Sequence, residues 1–278
     1  MEGIIVSIKY GMYTVYSDGV LYNTSVKGLI KFKNKLAVGD KVELAEGNFV
    51  ISDVYERSNS LKRPTVNNVD QILLVFSLKE PDFSYFLAFK YLTYANSNHI
   101  KASILLTKAD KCSKEEIKEI KDIFNQTGID VYVTSSKTQE GVEDIRTLFK
   151  DKITVLMGQS GVGKSSLINA IDESFAREIG DYSYALGRGK HQTKEVILLP
   201  YQGGFICDTP GFSSLELELK KIDIAHYFPG FSEYQNCYFN DCLHVSEKDC
   251  AVKNAVNEGK IPSINYQCYL KLLEEVER

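Results

Sequence analysis

The segment Gly158-Gln159-Ser160-Gly161-Val162-Gly163-Lys164-Ser165 constrains this chain more than any other. It fits G-x-x-x-x-G-K-[ST], follows the apolar run Ile153–Met157 and precedes the amphipathic stretch Ser166-Leu167-Ile168-Asn169-Ala170-Ile171. A strand feeding a glycine loop that feeds a helix commits this part of the chain to an α/β sheet. The glycines let successive backbone N–H groups turn inward and cradle an anion, and the helix N-terminus adds positive potential. Lys164 supplies a point charge for the β- and γ-phosphates, the Ser165 hydroxyl a ligand for Mg²⁺, and Ser166 continues the same turn. The pattern specifies a nucleoside triphosphate without naming its base.

Three further segments name the base. Asp208-Thr209-Pro210-Gly211 follows the apolar run Phe205–Cys207, which places a carboxylate for Mg²⁺ at a strand end and the Gly211 N–H near a γ-phosphate. Thr107-Lys108-Ala109-Asp110 follows Ala102–Leu106 and resembles the [NT]-K-x-D element of GTPases. There the aspartate accepts from the guanine N1–H and 2-amino group, and the lysine stem packs along the base. Adenine presents a different edge, so Asp110 selects GTP. Thr134-Ser135-Ser136 resembles the loop whose backbone N–H groups meet the guanine oxygen, although a plain turn reads the same way. Both base-recognition segments precede the phosphate loop, whereas in ordinary GTPases they follow it. The order is that of a circularly permuted GTPase domain, which survives where the new ends lie at surface loops.

The 278 residues suit about two domains, or three if some are small, and 44% hydrophobic content excludes wholesale disorder. A net charge of −4 argues against attachment to nucleic acid by bulk charge alone. Residues 1–65 depart from that balance: nine Lys/Arg against seven Asp/Glu make them +2, with Lys27, Lys31, Lys33, Lys35 and Lys41 bunched. Such a bunch is either a solvated loop or a phosphate-contacting face. Gly3–Ile8, Tyr13–Tyr16, Val20–Tyr22, Lys41–Leu44 and Phe49–Ile51 read as short strands separated by turn residues, which suits a small β-barrel. Composition does not distinguish an OB-fold from an SH3-like barrel. From about residue 66, strand-like runs alternate with helical stretches at 83–97, 113–127, 141–150 and from 164, as in a doubly wound sheet. Glu195–Leu199 and Phe205–Cys207 add two more strands, and Ser113 with Glu116 forms a capping box. After about 217 the alternation stops, and a helical pattern returns from about 264.

No apolar run reaches the roughly 18–20 residues of a membrane span, and Met1-Glu2-Gly3 lacks a signal-peptide start. A cytoplasmic location is expected. In that setting Cys237, Cys242 and Cys250, crowded within fourteen residues, read as a metal site sooner than as disulfides.

Permuted GTPase, basic barrel and cysteine cluster together resemble the ribosome small-subunit-dependent GTPase A family. The strings Arg57-Ser58-Asn59-Ser60-Leu61-Lys62-Arg63-Pro64, Asn68-Val69-Asp70-Gln71 and Gly187-Arg188-Gly189-Lys190-His191 agree, and the resemblance spans essentially the whole chain. It implies an OB-fold barrel over 1–65, a permuted P-loop GTPase over 66–217 and a helical zinc-binding domain over 218–278. It also implies GTP hydrolysis that is slow alone, faster on the small ribosomal subunit, and employed late in that subunit's maturation, with rRNA as a partner. Cys237, Cys242, His244 and Cys250 would hold one structural Zn²⁺ in a closed Cys₃His shell. The first switch is expected over 180–194. There Gly189-Lys190-His191-Gln192-Thr193 replaces the family's usual first threonine with Gln192 and leaves Thr193 as the Mg²⁺ ligand.

Phe212 stands where Ras-type GTPases place the glutamine that orients water, and a phenyl ring cannot do so. His191 is the nearest candidate for that catalytic role and Gln192 the second. The tail from 218 carries seven Lys/Arg against ten Asp/Glu, so it is expected to dock on protein, or on RNA by shape. The chain is expected to act as a monomer without a membrane partner. The rival readings are a signalling GTPase, which the absence of a lipidation motif disfavours, a non-enzymatic RNA-binding module and a large-subunit assembly factor.

Overall fold

The computed structural model describes residues 1–27, 35–45, 47, 49–171, 196–208 and 215–276, with the side chain of Asp208 excepted. By internal contacts the chain divides into two units. The first comprises Met1–Gln71, Glu143–Met157 and Lys164–Gly211; the second comprises Ile72–Val142, Gly158–Gly163 and Phe212–Arg278.

The first unit opens with β1 (Glu2–Lys9), β2 (Met12–Ser17), β3 (Val20–Thr24), β4 (Lys41–Leu44) and β5 (Ile51–Val54), hydrogen-bonded in the order β3-β2-β1-β4-β5. Asp18 and Gly19 both take positive φ, 47° and 81°, giving the left-handed two-residue turn that matches the twist of the β2–β3 hairpin. Beyond β3 the chain returns to β5: Ile51 N–H donates to Ser25 O at 2.9 Å and Lys27 N–H to Ile51 O at 3.2 Å. This contact brings the two outer strands together, and the result is the partly open, five-stranded Greek-key barrel of an OB-fold. Strict alternation in β4 turns Val42 and Leu44 into a core shared with Ile5, Val15, Leu36 and Ile51, while Lys41 and Glu43 face solvent. The fifth strand starts at Ile51, later than Phe49, because Phe49 itself has φ 47° and belongs to the turn. Of the bunched lysines, Lys27, Lys35 and Lys41 are exposed; Lys31 and Lys33 lie outside the described residues.

A hairpin of β6 (Ser60–Lys62) and β7 (Thr65–Asn67) follows. The strings flanking it form a hydrogen-bonded seam. The fully buried carboxylate of Asp40 receives Nε and Nη2 of Arg57 at 2.7 and 2.8 Å, Asn67 Nδ2 at 2.7 Å and the Ala37 N–H at 2.8 Å. Asn59 and Val69 exchange bonds at 2.8 and 2.9 Å, and Asp70 accepts the Ile153 N–H at 2.7 Å. The same unit holds β11 (Ile153–Met157), β12 (Leu198–Tyr201) and β13 (Gly204–Asp208), with β11 parallel and β12 antiparallel to β13. Every residue of β11 is buried, as a strand covered on both faces requires.

The second unit carries β8 (Gln71–Ser77), β9 (Lys101–Thr107) and β10 (Val131–Val133) in the order β10-β9-β8, with β9 and β10 parallel. Helices α1 (Tyr85–Ser97) and α2 (Lys114–Asn125) follow the first two strands, and α2 begins with the expected capping box of Ser113 and Glu116. Two helices belong to the first unit: the one expected over 141–150 is a short α3 (Val142–Arg146, from Glu143 on in that unit) continued by a 3₁₀ turn, and α4 (Lys164–Ile171) follows the phosphate loop in sequence. The tail supplies α5 (Lys221–Tyr227), α6 (Ala251–Asn257) and α7 (Ser263–Val276). Phe89, Phe124, Phe228, Phe231 and Tyr269 stack into a buried aromatic core that joins tail to α1, and Lys90 pairs with Glu275 beside it. Among the described residues no helix is long and apolar enough to cross a membrane.

Candidate functional site

The glycines of the phosphate loop are demanded by geometry. A Cβ on Gly158 would sit 2.2 Å from Val75 O, and Gly161 and Gly163 adopt φ of 78° and 95°. Val162 is fully buried and anchors the loop, whereas Ser160 and Gly161 are exposed and Gln159 is half-buried. Lys164, which is buried, opens α4 together with the exposed Ser165 and Ser166.

The segment at 107–110 clasps this loop from 55 residues away in sequence. The buried Thr107 Oγ1 donates to Val162 O at 2.5 Å. Lys108, held at φ 57°, donates its ammonium to Gly161 O at 2.9 Å and to Glu80 O. Ala109 N–H bonds Thr134 O at 3.2 Å, which draws in the loop after β10. In that loop the Ser135 hydroxyl donates to Asp110 Oδ1 at 2.6 Å, and this bond, ahead of opposing desolvation, holds the Asp110 carboxyl below its ordinary pKa. The result is an ionised, oriented acceptor at the end of β9. The Ser135 N–H is engaged by Glu140 O at 3.0 Å, and the neighbouring Ser136 is exposed. All these contacts fall within the second unit. The role of Lys108 as a brace on the phosphate loop, and the Ser135–Asp110 bond, carry no sequence signature beyond the short motifs themselves. Gly211, His191, Gln192, Thr193 and Phe212 lie outside the described residues, and Asp208 ends β13.

The four side chains expected to hold a metal converge. The donor atoms of Cys237, Cys242, His244 and Cys250 all lie within 4.8 Å of one another. Cys237 Sγ is 3.8 Å from Cys250 Sγ, and His244 Nδ1 is 3.5 and 3.3 Å from those two sulfurs. A zinc–sulfur bond of about 2.3 Å gives a tetrahedral edge of about 3.8 Å, so the spacing fits a zinc shell. Burial pushes the Cys242 thiol up to about 12 and holds the His244 imidazole below its ordinary pKa. A dication would therefore displace thiol protons on binding. The loop is braced from behind. Tyr266 and Tyr269 hydroxyls donate to His244 O and Leu243 O at 2.7 and 2.5 Å, and Glu247 accepts the Leu243 and Val245 N–H groups at 2.7 and 2.8 Å. Cys250 also caps α6 by accepting the Lys253 N–H at 3.5 Å. The two tyrosines went unnoticed in the sequence because only the fold brings α7 against the cysteine loop.

Residues 54–218 match the family model described as RsgA GTPase. The chain is 40% identical over 281 residues to the small ribosomal subunit biogenesis GTPase RsgA of Clostridium perfringens, covering 99% of this chain and 98% of that one. It is likewise 40% identical to the protein of the same name from Halalkalibacterium halodurans, over 99% of this chain and 97% of its relative. Among solved structures it is similar to YjeQ from Thermotoga maritima, with a TM-score of 0.85, 34% identity and coverage of 100% and 99%. YloQ, described as a circularly permuted GTPase, gives a TM-score of 0.81 at 35% identity, covering 99% of this chain and 94% of that one. With the family model matched over residues 54–218 and its full-length likeness to these relatives, the chain belongs to the RsgA GTPase family.

Proposed function

We propose that this protein hydrolyses GTP during late maturation of the small ribosomal subunit, acting in the cytoplasm as a monomer that contacts rRNA. The observation that carries the reading is the pair of bonds from Thr107 and Lys108 to the carbonyls of Val162 and Gly161. They tie the 107–110 segment to the 158–163 loop despite the inverted sequence order, which supports reading Asp110 as the guanine-selecting carboxylate of a phosphate-binding site. The names of the relatives supply the subunit.

In this reading Asp110 accepts from the guanine N1–H and 2-amino group. Because the Ser135 N–H is already engaged, the Ser136 N–H meets the base oxygen. The backbone of Gly158–Gly163 and the ammonium of Lys164 take the phosphates. Ser165, Thr193 and Asp208 would hold the Mg²⁺ that accompanies the nucleotide and neutralises charge on its phosphates. Water attacks the γ-phosphorus, the bond to the β–γ bridging oxygen breaks, and GDP and phosphate leave. His191 orients the water, since Phe212 cannot. The zinc shell is closed and structural; it shapes the tail of a chain organised as barrel (1–65), GTPase (66–217) and zinc domain (218–278). Docking on the subunit positions His191, and hydrolysis releases the protein.

GTP turnover titrated with purified small subunits tests this. The expected result is a rate that rises with subunit concentration, a rise that His191→Ala abolishes while GDP binding is retained. Equal rates with and without subunits would reject the proposed partner.

A further inference from the structure

The loop that gathers the four metal ligands exposes apolar surface that ligation does not use. Tyr238 is 80% exposed and Phe239 48% exposed, their rings packed edge to face with centroids 4.9 Å apart. Val245, which follows His244 in sequence, is 46% exposed. The neighbouring aromatics Phe228, Phe231 and Tyr269 are by contrast fully buried. The bonds from Tyr266, Tyr269 and Glu247 hold the later part of the loop at Leu243–Val245, and the adjacent exposed rings of Tyr238 and Phe239 on its earlier part offer amphipathic contact area.

The charge of the segment that carries the rings narrows the partner. Residues 231–250 contain Glu233, Asp241, Glu247 and Asp249 against Lys248 alone, a net charge of −3. Glu247 is engaged by backbone N–H groups, while Glu233, Asp241 and Asp249 are exposed. Surfaces that stack nucleic-acid bases combine aromatic rings with positive charge that tracks the phosphates; here the sign is reversed. Guanidinium groups suit both components, since they stack on ring faces and fork onto carboxylates.

We propose that Tyr238, Phe239 and the exposed carboxylates of the same segment form a docking surface for an arginine-rich polypeptide segment. The inference rests on this loop alone and is independent of the reading of the nucleotide site.

The test uses the zinc-loaded full chain, with binding followed by fluorescence anisotropy. The probes are a labelled arginine-rich peptide of about ten residues and a labelled oligouridine of similar length. Against the wild type, a Tyr238→Ala/Phe239→Ala variant that keeps its zinc should bind the peptide about tenfold more weakly. Its oligouridine affinity should stay within about twofold, because RNA contacts elsewhere in the chain are untouched. Asp241→Lys, which leaves both rings in place, should weaken peptide binding several-fold, and the loss should shrink as salt rises. Peptide affinity unchanged in both variants would overturn the proposal, as would a loss that falls on the oligouridine instead. Should the double variant lose zinc, Asp241→Lys decides alone.

Discussion

Replacing Thr107 with valine removes one hydroxyl at nearly constant shape and so isolates the clasp between the 107–110 segment and the glycine loop at 158–163. Thr107 is 4% exposed, and its Oγ1 lies 2.5 Å from Val162 O and 3.2 Å from Phe76 O. A hydroxyl carries one proton, and the shorter contact receives it. Valine leaves the carbonyl of Val162, a fully buried residue, facing a methyl group with that donor gone. An orphaned buried acceptor costs about 1–3 kcal/mol. In a domain of this size each kcal/mol lowers the thermal midpoint by about 2–4 °C, so the ligand-free midpoint should drop by about 2–12 °C. The same displacement of the loop should weaken GDP binding about tenfold, the equivalent of about 1.4 kcal/mol. Thr107→Ser keeps the hydroxyl and should retain near-normal GDP affinity. Thermal unfolding of ligand-free protein and calorimetric titration with GDP provide the two readouts. A valine variant as stable as the wild type, binding GDP equally well, would refute the idea that this bond shapes the site.

Three other outcomes are expected. Arg57→Ala strands the fully buried Asp40 carboxylate with only neutral donors; because Arg57 is itself 34% exposed, the loss of stability in urea unfolding should be about 2–3 kcal/mol, below the full figure for a buried pair. Removing zinc by chelation, or replacing Cys250 with serine, should open the tail to proteolysis within 231–250 and leave GDP affinity nearly unchanged; a tail equally resistant without metal would contradict a structural zinc. Because the Ser135 bond depresses the Asp110 pKa, the carboxylate persists on lowering the pH and is lost only as the pH falls through that depressed value. Guanine preference measured by competition binding should therefore be flat above about pH 5, and a decline beginning near neutrality would assign recognition to another group.

Legibility in the sequence followed the length scale of each interaction. The strand Ile153–Met157 and the loop after it could be read because all their determinants are contiguous: an apolar run, glycines at φ-demanding positions and a helix start. The Ser113–Glu116 capping box was visible for the same reason. The β6–β7 hairpin escaped because its strands hold three residues each and Pro64 interrupts the alternation. Helices α5 and α6 escaped because seven residues hold too few turns to show a period. The strings around Arg57 and Asn68 were recognisable only as family likeness. Their physical role, a seam on the buried Asp40, depends on contacts 17 and 27 residues apart, to which local pattern is blind. In the tail loop the crowding of Cys237, Cys242 and Cys250 was visible in the sequence, and His244 joined them only through family likeness; the structure brings the donor atoms of all four within 4.8 Å of one another. The tyrosine braces depend on α7 packing against that loop, information that no short window contains.

The central claim is that an aspartate placed ahead of the phosphate loop in the chain selects the base. Calorimetric titration of the magnesium-supplied protein with GDP and ADP tests it most directly. A site that hydrogen-bonds the guanine edge should favour GDP by at least about a hundredfold, and Asp110→Ala should erase the preference. Equal affinity for the two nucleotides in the wild type would contradict the account.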